Sequence, residues 1–139
     1  MGLIYLDACL LIYLVERHSR WGGNVARAIA AFGEKRFGIS PLVKCECLVG
    51  PIKRGDPVLR RGYDELFDRF VSLAMPEPVF IQAAELRGRF GLRTPDALHL
   101  ACAQQHRCNA LWTNDDRLTR ASHGLARNVL AEAPPEATV

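Results

Sequence analysis

Four acidic residues occupy positions where a metal site could be assembled. Each lies beside an apolar run or at a predicted helix start, where most residues are buried; they are Asp7, Glu46, Asp96 and Asp115. A buried carboxylate is costly unless a cation or hydrogen-bond donors compensate it. We therefore interpret these four acids, which are spread over the whole chain, as the ligands of one divalent-metal pocket.

Carboxylate ligands of this kind suit hard divalent ions such as Mg²⁺ and Mn²⁺, which prefer oxygen and keep several waters. The predicted chemistry is phosphodiester hydrolysis, in which the metal lowers the pKa of a bound water and shields phosphoryl charge. Thr113 and Asn114 are predicted to support the site by hydrogen bonding to a carboxylate or to a metal-bound water. Arg93 and Arg117 are predicted to contact phosphate oxygens.

Each acid also has a structural alternative of about equal weight when it is taken singly. Asp96 follows Thr94 closely and could simply favour a helix dipole, Asp115 could cap a turn or helix beside Asp116, and Glu46 could face water. Asp7 is the hardest to explain in this way, because it ends an apolar strand. For His99, which lies three residues after Asp96, the sequence favours a structural role over a proton shuttle or ligand-orienting role.

The elements that must position these residues alternate between strands and helices. Strands are predicted at 3–6, 37–39, 110–113 and 127–131, and helices at 9–16, 24–35, 58–72, 79–91 and 95–106, together with a short helix or turn at 115–121 and a helix that begins after Ser40 and stops or kinks near Gly50 and Pro51. Ser40 and Thr94 are predicted N-caps, each followed by a proline in the first helical turn, and Asp56 with Pro57 is a further predicted helix start. Residues 75–78 are too proline-rich for a central strand.

This alternation predicts an α/β fold with a parallel sheet covered by helices on both faces. Ligands in such folds gather at the carboxyl ends of the strands, at a topological switch. Asp7 and Asp115 follow predicted strands directly, and Glu46 and Asp96 lie on helices that could lean over the same edge. We expect one domain over residues 1–133 and a frayed tail at 134–139.

Composition is ordinary for a soluble globular protein, with 49% apolar and 24% charged residues and a net charge of +3. Of the 18 basic residues only three are lysines, Lys35, Lys44 and Lys53, so the rest are arginines. Arginine suits phosphate contact because its planar fork bonds two oxygens at once, although a codon bias would explain the count equally well. If a metal neutralised the four acids, the remaining surface would be clearly basic, which fits a polyanionic partner.

The five cysteines do not form a zinc motif, and a reducing cytosol is the expected environment. Four of them lie in apolar segments that predict small buried side chains: Cys9, Cys45, Cys47 and Cys102. The N-terminus lacks a basic leader and no apolar stretch is long enough to span a bilayer, so we expect a cytoplasmic protein without membrane association. Neither a glycine-rich phosphate loop nor a Gly-x-Ser-x-Gly motif is present, which argues against P-loop NTPases and the usual serine hydrolases.

These motifs, in this order and at these separations, resemble the PIN domain, and specifically VapC-type toxins of bacterial toxin–antitoxin pairs. The resemblance covers essentially the whole chain. It is carried by Ile4-Tyr5-Leu6-Asp7, by Glu46 after Ser40-Pro41, by Thr94-Pro95-Asp96-Ala97-Leu98-His99-Leu100-Ala101, and by Trp112-Thr113-Asn114-Asp115-Asp116-Arg117-Leu118.

The resemblance implies a three-layer α/β/α sandwich with a mostly parallel central sheet and an Mg²⁺- or Mn²⁺-dependent endoribonuclease that uses the four acids. It further implies a tRNA or ribosomal RNA substrate, a homodimer, and inhibition by a small cognate antitoxin. The antitoxin would lie across the active groove and present an arginine to the acids.

One departure from the family pattern, one ambiguous ligand position and two alternative functions accompany this expectation. Cys9 stands where the family often has Asn, Ser or Thr, and a thiol is a softer ligand and a poorer donor. Asp116 is a second candidate for the fourth ligand position, although the spacing of the Thr-x-Asp motif favours Asp115. The alternatives are a catalytically inactive PIN-like module that binds RNA or protein, and a phosphatase or DNA nuclease that uses the same carboxylates.

Overall fold

The structure is a computed structural model and describes residues 2–128. Its strands are β1 (Ile4–Leu6), β2 (Phe37–Ile39), β3 (Val71–Ser72), β4 (Ala110–Thr113) and β5 (Ala126–Asn128). Its α-helices are α1 (Ala8–Val15), α2 (Gly22–Phe32), α3 (Pro41–Arg54), α4 (Pro57–Phe67), α5 (Glu77–Phe90), α6 (Thr94–Gln105) and α7 (Asp116–Ala121), and a short 3₁₀ turn spans Glu34–Arg36.

The five strands form one parallel sheet in the order β3-β2-β1-β4-β5. The chain builds outward from β1 through β2 to β3, and then crosses to the other side of β1 to add β4 and β5. The strand order therefore reverses between β1 and β4, which is the position where ligands bind in open α/β sheets. The predicted three-layer α/β/α fold with a parallel sheet is confirmed.

The central strand is apolar because both of its faces are covered. Ile4, Tyr5 and Leu6 are all buried, as expected for a parallel strand between helical layers. On one side, aromatic rings pack edge to face, and Phe37 and Trp112 lie with centroids 5.1 Å apart. Within residues 2–128, no helix is long and apolar enough to cross a membrane.

Helix starts agree with the sequence at two sites and differ at a third. The Ser40 hydroxyl caps α3 by accepting a hydrogen bond from the Val43 amide at 3.3 Å. Asp56 caps α4 in the same way, by accepting from the Leu59 amide at 3.0 Å. The prediction that Thr94 caps α6 was wrong: Thr94 is the first helical residue and Arg93 is the N-cap, without a side-chain bond.

Two predicted helix ends were also wrong. Helix α3 continues through Pro51 to Arg54, because the proline lies in the last turn and the helix ends at Gly55, which adopts a left-handed φ of 63°. The predicted helix 58–72 ends at Phe67, and Val71–Ser72 instead pairs with Gly38 and Ile39 as an edge strand. A strand of two residues is defined only by its hydrogen bonds to β2, so the local sequence of Val71–Ser72 does not indicate a strand.

The remaining expectations concern the cysteines and the C-terminus. Cys47 and Cys102 are buried as predicted, and Cys9 is partly buried. The prediction for Cys45 was wrong: its side chain is exposed, because it lies on the face of α3 opposite the core. Cys108 is buried as well. Strand β5 starts one residue before the predicted 127–131 strand, and the rest of that range lies outside the described residues. The predicted domain end at 133 and the tail at 134–139 also lie outside them.

Candidate metal centre

The candidate metal centre lies at the carboxyl ends of β1 and β4, on either side of the strand-order reversal. Asp7 directly follows β1, and its amide donates to the Trp112 carbonyl at 3.0 Å, extending the pairing with β4. Thr113 ends β4, and its hydroxyl donates to Asp7 Oδ2 at 2.7 Å. The predicted contact of Thr113 with a carboxylate is therefore present, and it fixes the rotation of the Asp7 side chain.

Asp7 is also the N-cap residue of α1, yet its carboxylate makes no capping hydrogen bond. Its second oxygen, Oδ1, instead lies 3.6 Å from His99 Nε2. The same nitrogen lies 2.5 Å from Glu46 Oε1. Helix α3 thus brings Glu46, and α6 brings His99, to the end of β1, and the three ligand atoms all lie within 4.8 Å of one another.

His99 therefore has a direct role beside the acids, although the sequence favoured a purely structural one. Because Nε2 faces two carboxylates, it carries a proton and donates it to Glu46. This hydrogen bond orients the Glu46 carboxylate. The side chain is 2% exposed, which keeps the ring in place.

Two residues that the sequence analysis missed hold the other side of the His99 ring. The Tyr5 hydroxyl lies 2.7 Å from His99 Nδ1 and 2.6 Å from Ser40 Oγ, and all three groups are buried. A hydrogen-bonded chain therefore runs from the α3 N-cap through Tyr5 and His99 to Glu46. The signal was available, since a tyrosine inside an otherwise apolar central strand must find a partner for its hydroxyl.

The buried chain also affects proton affinities. Burial raises the pKa of Tyr5 well above its usual value, and the negative charges of Asp7 and Glu46 act in the same direction, so the hydroxyl stays protonated. Burial by itself lowers the pKa of His99, but the hydrogen bond to Glu46 and the charges of Asp7, Glu46 and Asp96 outweigh it, and the pKa is raised. We call Asp7, Glu46 and His99 the inner half of the centre.

Asp96 and Asp115 meet on the guanidinium group of Arg93, and we call these three residues the outer half. Arg93 Nε donates to Asp96 Oδ2 at 3.1 Å, and Arg93 Nη2 lies 3.9 Å from Asp115 Oδ2. Among residues 2–128, the group of potential ligand atoms that lie within 4.8 Å of one another is formed by the inner half alone. The structure therefore separates the four predicted acids into two pairs, Asp7 with Glu46 and Asp96 with Asp115.

The charges of the two halves nevertheless act on one another. The pKa of Arg93 is raised first by the hydrogen bond and charge of Asp96 and further by the charges of Asp115 and Glu46. The pKa of His99 is raised in turn by the hydrogen bond to Glu46 and by the charges of Asp7, Glu46 and Asp96. Because the charges of Glu46 and Asp96 affect both Arg93 and His99, the inner and outer halves lie close enough to interact electrostatically.

The other predicted residues fall in different places around the centre. Arg117 Nε lies 3.6 Å from Asp115 Oδ1, whereas Asn114 donates its side-chain amide to the Tyr13 hydroxyl at 2.7 Å rather than to a carboxylate. Asp115 also caps α7 by accepting from the Arg117 amide at 2.9 Å, so its structural alternative holds alongside its contact with Arg93. Asp116 instead accepts from Asn128.

Cys9 lies near Asp7 but remains a neutral thiol. Burial raises the pKa of the Cys9 thiol far above its usual range, and the charge of Asp7 raises it further. The sulfur of Cys9 does not belong to the group of potential ligand atoms that lie within 4.8 Å of one another. The acids of that group, Asp7 and Glu46, offer oxygen atoms, which fit a hard divalent ion.

The fold and the centre together define a class: a parallel α/β domain with an acidic, metal-competent site at its strand-order reversal. The family comparison agrees with this description. The chain belongs to the PIN domain family, whose model matches residues 4–124. That range contains all four acids, His99, Tyr5 and Ser40.

Solved structures share the fold at low sequence identity. A toxin–antitoxin complex from Klebsiella pneumoniae is 22% identical, with a TM-score of 0.75 over 96% of this chain and 98% of that chain. Mycobacterium tuberculosis VapC20, described as a toxin that cleaves the sarcin–ricin loop, is 15% identical, with a TM-score of 0.73 over 85% and 94%. Rickettsia felis VapBC2, bound to a promoter DNA fragment, is 18% identical, with a TM-score of 0.72 over 90% and 97%.

Among curated protein sequences, none matches the chain.

Proposed function

We propose that this PIN-domain protein is a metal-dependent endoribonuclease toxin of a toxin–antitoxin pair. The observation that carries the proposal is the convergence of Asp7 and Glu46, oriented by Thr113 and His99, at the end of the central strand. Asp96 and Asp115, which share the Arg93 guanidinium, would add two further carboxylates to the centre. Such a concentration of carboxylates at one edge is stable only with cationic compensation.

The donor set fits Mg²⁺ or Mn²⁺, because Asp7 and Glu46 supply carboxylate oxygens and Cys9 lies outside the group of potential ligand atoms. Asp7 and Glu46 would hold the ion from the inner half, and Asp96 and Asp115 from the outer half. When bound, the ion would lower the pKa of a water and shield charge on the phosphate. Thr113 and His99 keep the two inner carboxylates in a fixed orientation.

Arg93 and Arg117 supply the substrate contacts in this proposal. Both side chains are more than half exposed, and both touch the acids only through charge-assisted contacts that a phosphate could replace. The arrangement also explains inhibition by an antitoxin. A guanidinium already bridges Asp96 and Asp115 in this chain, so an arginine supplied by a partner has a matching place to bind.

The RNA substrate and the protein partners rest on the structural relatives. One relative is described as cleaving the sarcin–ricin loop and another as a toxin–antitoxin complex, which supports ribosomal RNA or tRNA as substrate and a small antitoxin as partner. We also expect the chain to form a homodimer. Exposed apolar side chains on α3 and α4, those of Val49, Ile52 and Val58, fit a protein with protein partners.

The test is cleavage of total cellular RNA by wild type and by Asp96→Asn, each with Mn²⁺ and with EDTA. We expect wild type to cleave only with the metal, and Asp96→Asn to be inactive and to release growth arrest while remaining folded. Asp116→Asn is the matched control, since Asp116 binds Asn128 outside the centre. An active, metal-independent Asp96→Asn protein would refute the mechanism.

Two further measurements separate the alternatives. Isothermal titration with Mn²⁺ distinguishes a nuclease from an inactive binding module, because an inactive module needs no metal. Parallel digestion of RNA, DNA and a small phosphoester assigns the substrate class. Preferential hydrolysis of DNA or of the phosphoester would replace the ribonuclease proposal.

A further inference from the structure

A cavity of 270 Å³ opens beside the outer half of the centre, between the C-terminal end of α5 and helix α7. It is continuous with the acids, because Asp96 and Arg93 form part of its wall. The remaining wall is formed by Phe90, Gly91, Leu92, Arg117, Arg120 and Ala121. An exposed aromatic ring and three arginines thus surround one pocket next to the candidate metal.

Arg120 differs from the other two arginines of the cavity. Arg93 and Arg117 are paired with acids of the centre, whereas the exposed side chain of Arg120 has no hydrogen-bond or ion-pair partner anywhere in residues 2–128. It lies in the last turn of α7 and faces the cavity. Arg120 is therefore a cation available for an anionic ligand.

Phe90 supplies an apolar surface to the same cavity. It is the last residue of α5, which ends there because Gly91 adopts a left-handed φ of 69°. The ring is 37% exposed, and its position is held by a T-shaped contact with His123 at 6.0 Å between centroids. A fixed, exposed aromatic ring is a platform for a nucleobase.

A second cavity of 200 Å³ adjoins the first. Phe90 and Ala121 line both, and the second is also lined by Arg89 and His123. The Phe90 ring thus borders both cavities, and the first cavity also borders Asp96 of the centre. An acid of the centre, the cation Arg120 and an exposed ring around adjoining cavities suit alternating phosphates and bases, as in a single strand of nucleic acid.

We propose that this cavity is the binding subsite for the nucleotide next to the scissile phosphate of a single-stranded RNA, with the base stacked on Phe90 and a flanking phosphate on Arg120. The proposal rests on the ribonuclease function proposed above and adds a substrate-positioning site to it. The volume lies just below the roughly 300–1,000 Å³ of pockets for drug-sized ligands, which limits the site to about one nucleotide. The planar guanidinium of Arg120 suits bidentate contact with phosphate.

The test measures the binding of a short fluorescein-labelled single-stranded RNA of mixed sequence, in EDTA so that no cleavage occurs, over a series of salt concentrations. Arg120→Ala should weaken binding and lower the slope of log affinity against log salt by about 0.7, the contribution of one phosphate contact in a single strand. Phe90→Ala should weaken binding about tenfold and leave the slope unchanged, because stacking releases no counterions. Phe90→Trp should restore the affinity.

Matched controls are Arg61→Ala on α4 and Phe80→Ala on α5, which remove an exposed arginine and an exposed phenylalanine away from the cavity. Circular dichroism checks that every variant is folded, and Phe90→Leu, which keeps an apolar side chain without a ring, replaces Phe90→Ala if that variant does not fold. If Arg120→Ala, or a folded Phe90 variant lacking the ring, binds RNA like its control, the proposal is overturned.

Failure of this proposal is distinguishable from failure of the proposed function. If wild type cleaves RNA with Mn²⁺ but Phe90→Ala and Arg120→Ala have the KM and kcat of their controls, the nuclease proposal stands and the subsite is overturned. If the EDTA binding results hold but no RNA is cleaved, the subsite stands as an RNA-binding site and the nuclease proposal fails.

Discussion

The inner and outer halves of the acidic centre differ in how firmly their side chains are held. In the inner half, His99 is 2% exposed, and Tyr5 and Ser40 fix the ring from behind. In the outer half, Arg93 is 65% exposed, and ion pairs with Asp96 and Asp115 hold it. Exposed ion pairs contribute little stability and rearrange easily. A buried network whose polar groups are all hydrogen-bonded holds its side chains more firmly.

This difference suggests a division of labour within one site. The inner half keeps carboxylate oxygens in a prepared geometry, as metal binding requires. The outer half contains one exposed cation, Arg93, so the residue proposed to meet the substrate is one whose ion pairs can exchange. The predictions below test this division, beginning with the largest expected effect.

Replacing one acid from each half compares the halves directly. Asp7→Asn should lower the Mn²⁺ affinity by more than about 100-fold, which exceeds the roughly 10–100-fold typical for residues that only support a ligand. Asp115→Asn should lower it by about tenfold or less, because Asp115 is already shared between Arg93, Arg117 and the α7 cap. Isothermal titration measures both, and equal losses would contradict the division.

Removing a single hydroxyl tests whether the buried chain positions the inner half. Tyr5→Phe leaves Ser40 and His99 Nδ1 without their partner, which should cost about 1–3 kcal/mol in the free energy of unfolding. It should also reduce the Mn²⁺ affinity roughly 10-fold or more, because His99 then orients Glu46 less firmly. Urea denaturation and metal titration give the two values.

Tyr63→Phe is the matched control for this change. The Tyr63 hydroxyl donates to Glu16 at 2.5 Å, and the Tyr63 side chain is as buried as that of Tyr5, but it contacts no residue of the centre. It should lose stability and keep its metal affinity. If Tyr5→Phe also keeps wild-type metal affinity, the hydrogen-bonded chain is structural only.

The smallest expected effect concerns Glu16, a carboxylate with fixed partners outside the centre. The hydrogen bond from Tyr63 lowers the pKa of Glu16, and Arg54 lowers it further against the opposing effect of burial. Because the folded-state pKa is depressed, the stabilisation is present above the unfolded value of about 4.3 and is lost as the pH falls through the folded value.

Glu16→Gln should therefore reduce the free energy of unfolding by less than about 1 kcal/mol at neutral pH, and the difference from wild type should shrink in acid. Urea denaturation of wild type and variant at neutral pH and at acidic pH measures this difference. The variant should bind Mn²⁺ like wild type. A loss of metal affinity would mean that carboxylates outside the two halves contribute to the centre.

Much of this organisation could be predicted from short stretches of sequence. The apolar run before Asp7 predicts a buried strand, Ser40 and Pro41 predict a helix start, and Pro95 with Asp96 marks the beginning of α6. These features depend on residues within a few positions of one another, so local pattern carries the information. The parallel sheet follows from the alternation of such elements.

Tertiary structure alone decided which side chains meet. The hydroxyl of Tyr5 reaches residues 35 and 94 positions away, Asn114 binds Tyr13 rather than an acid, and Arg93 bridges Asp96 and Asp115. The edge strand at Val71 exists only because β2 offers it hydrogen bonds. Local sequence specifies backbone conformation and burial, but the partner of a polar side chain depends on where distant strands end once the chain has folded.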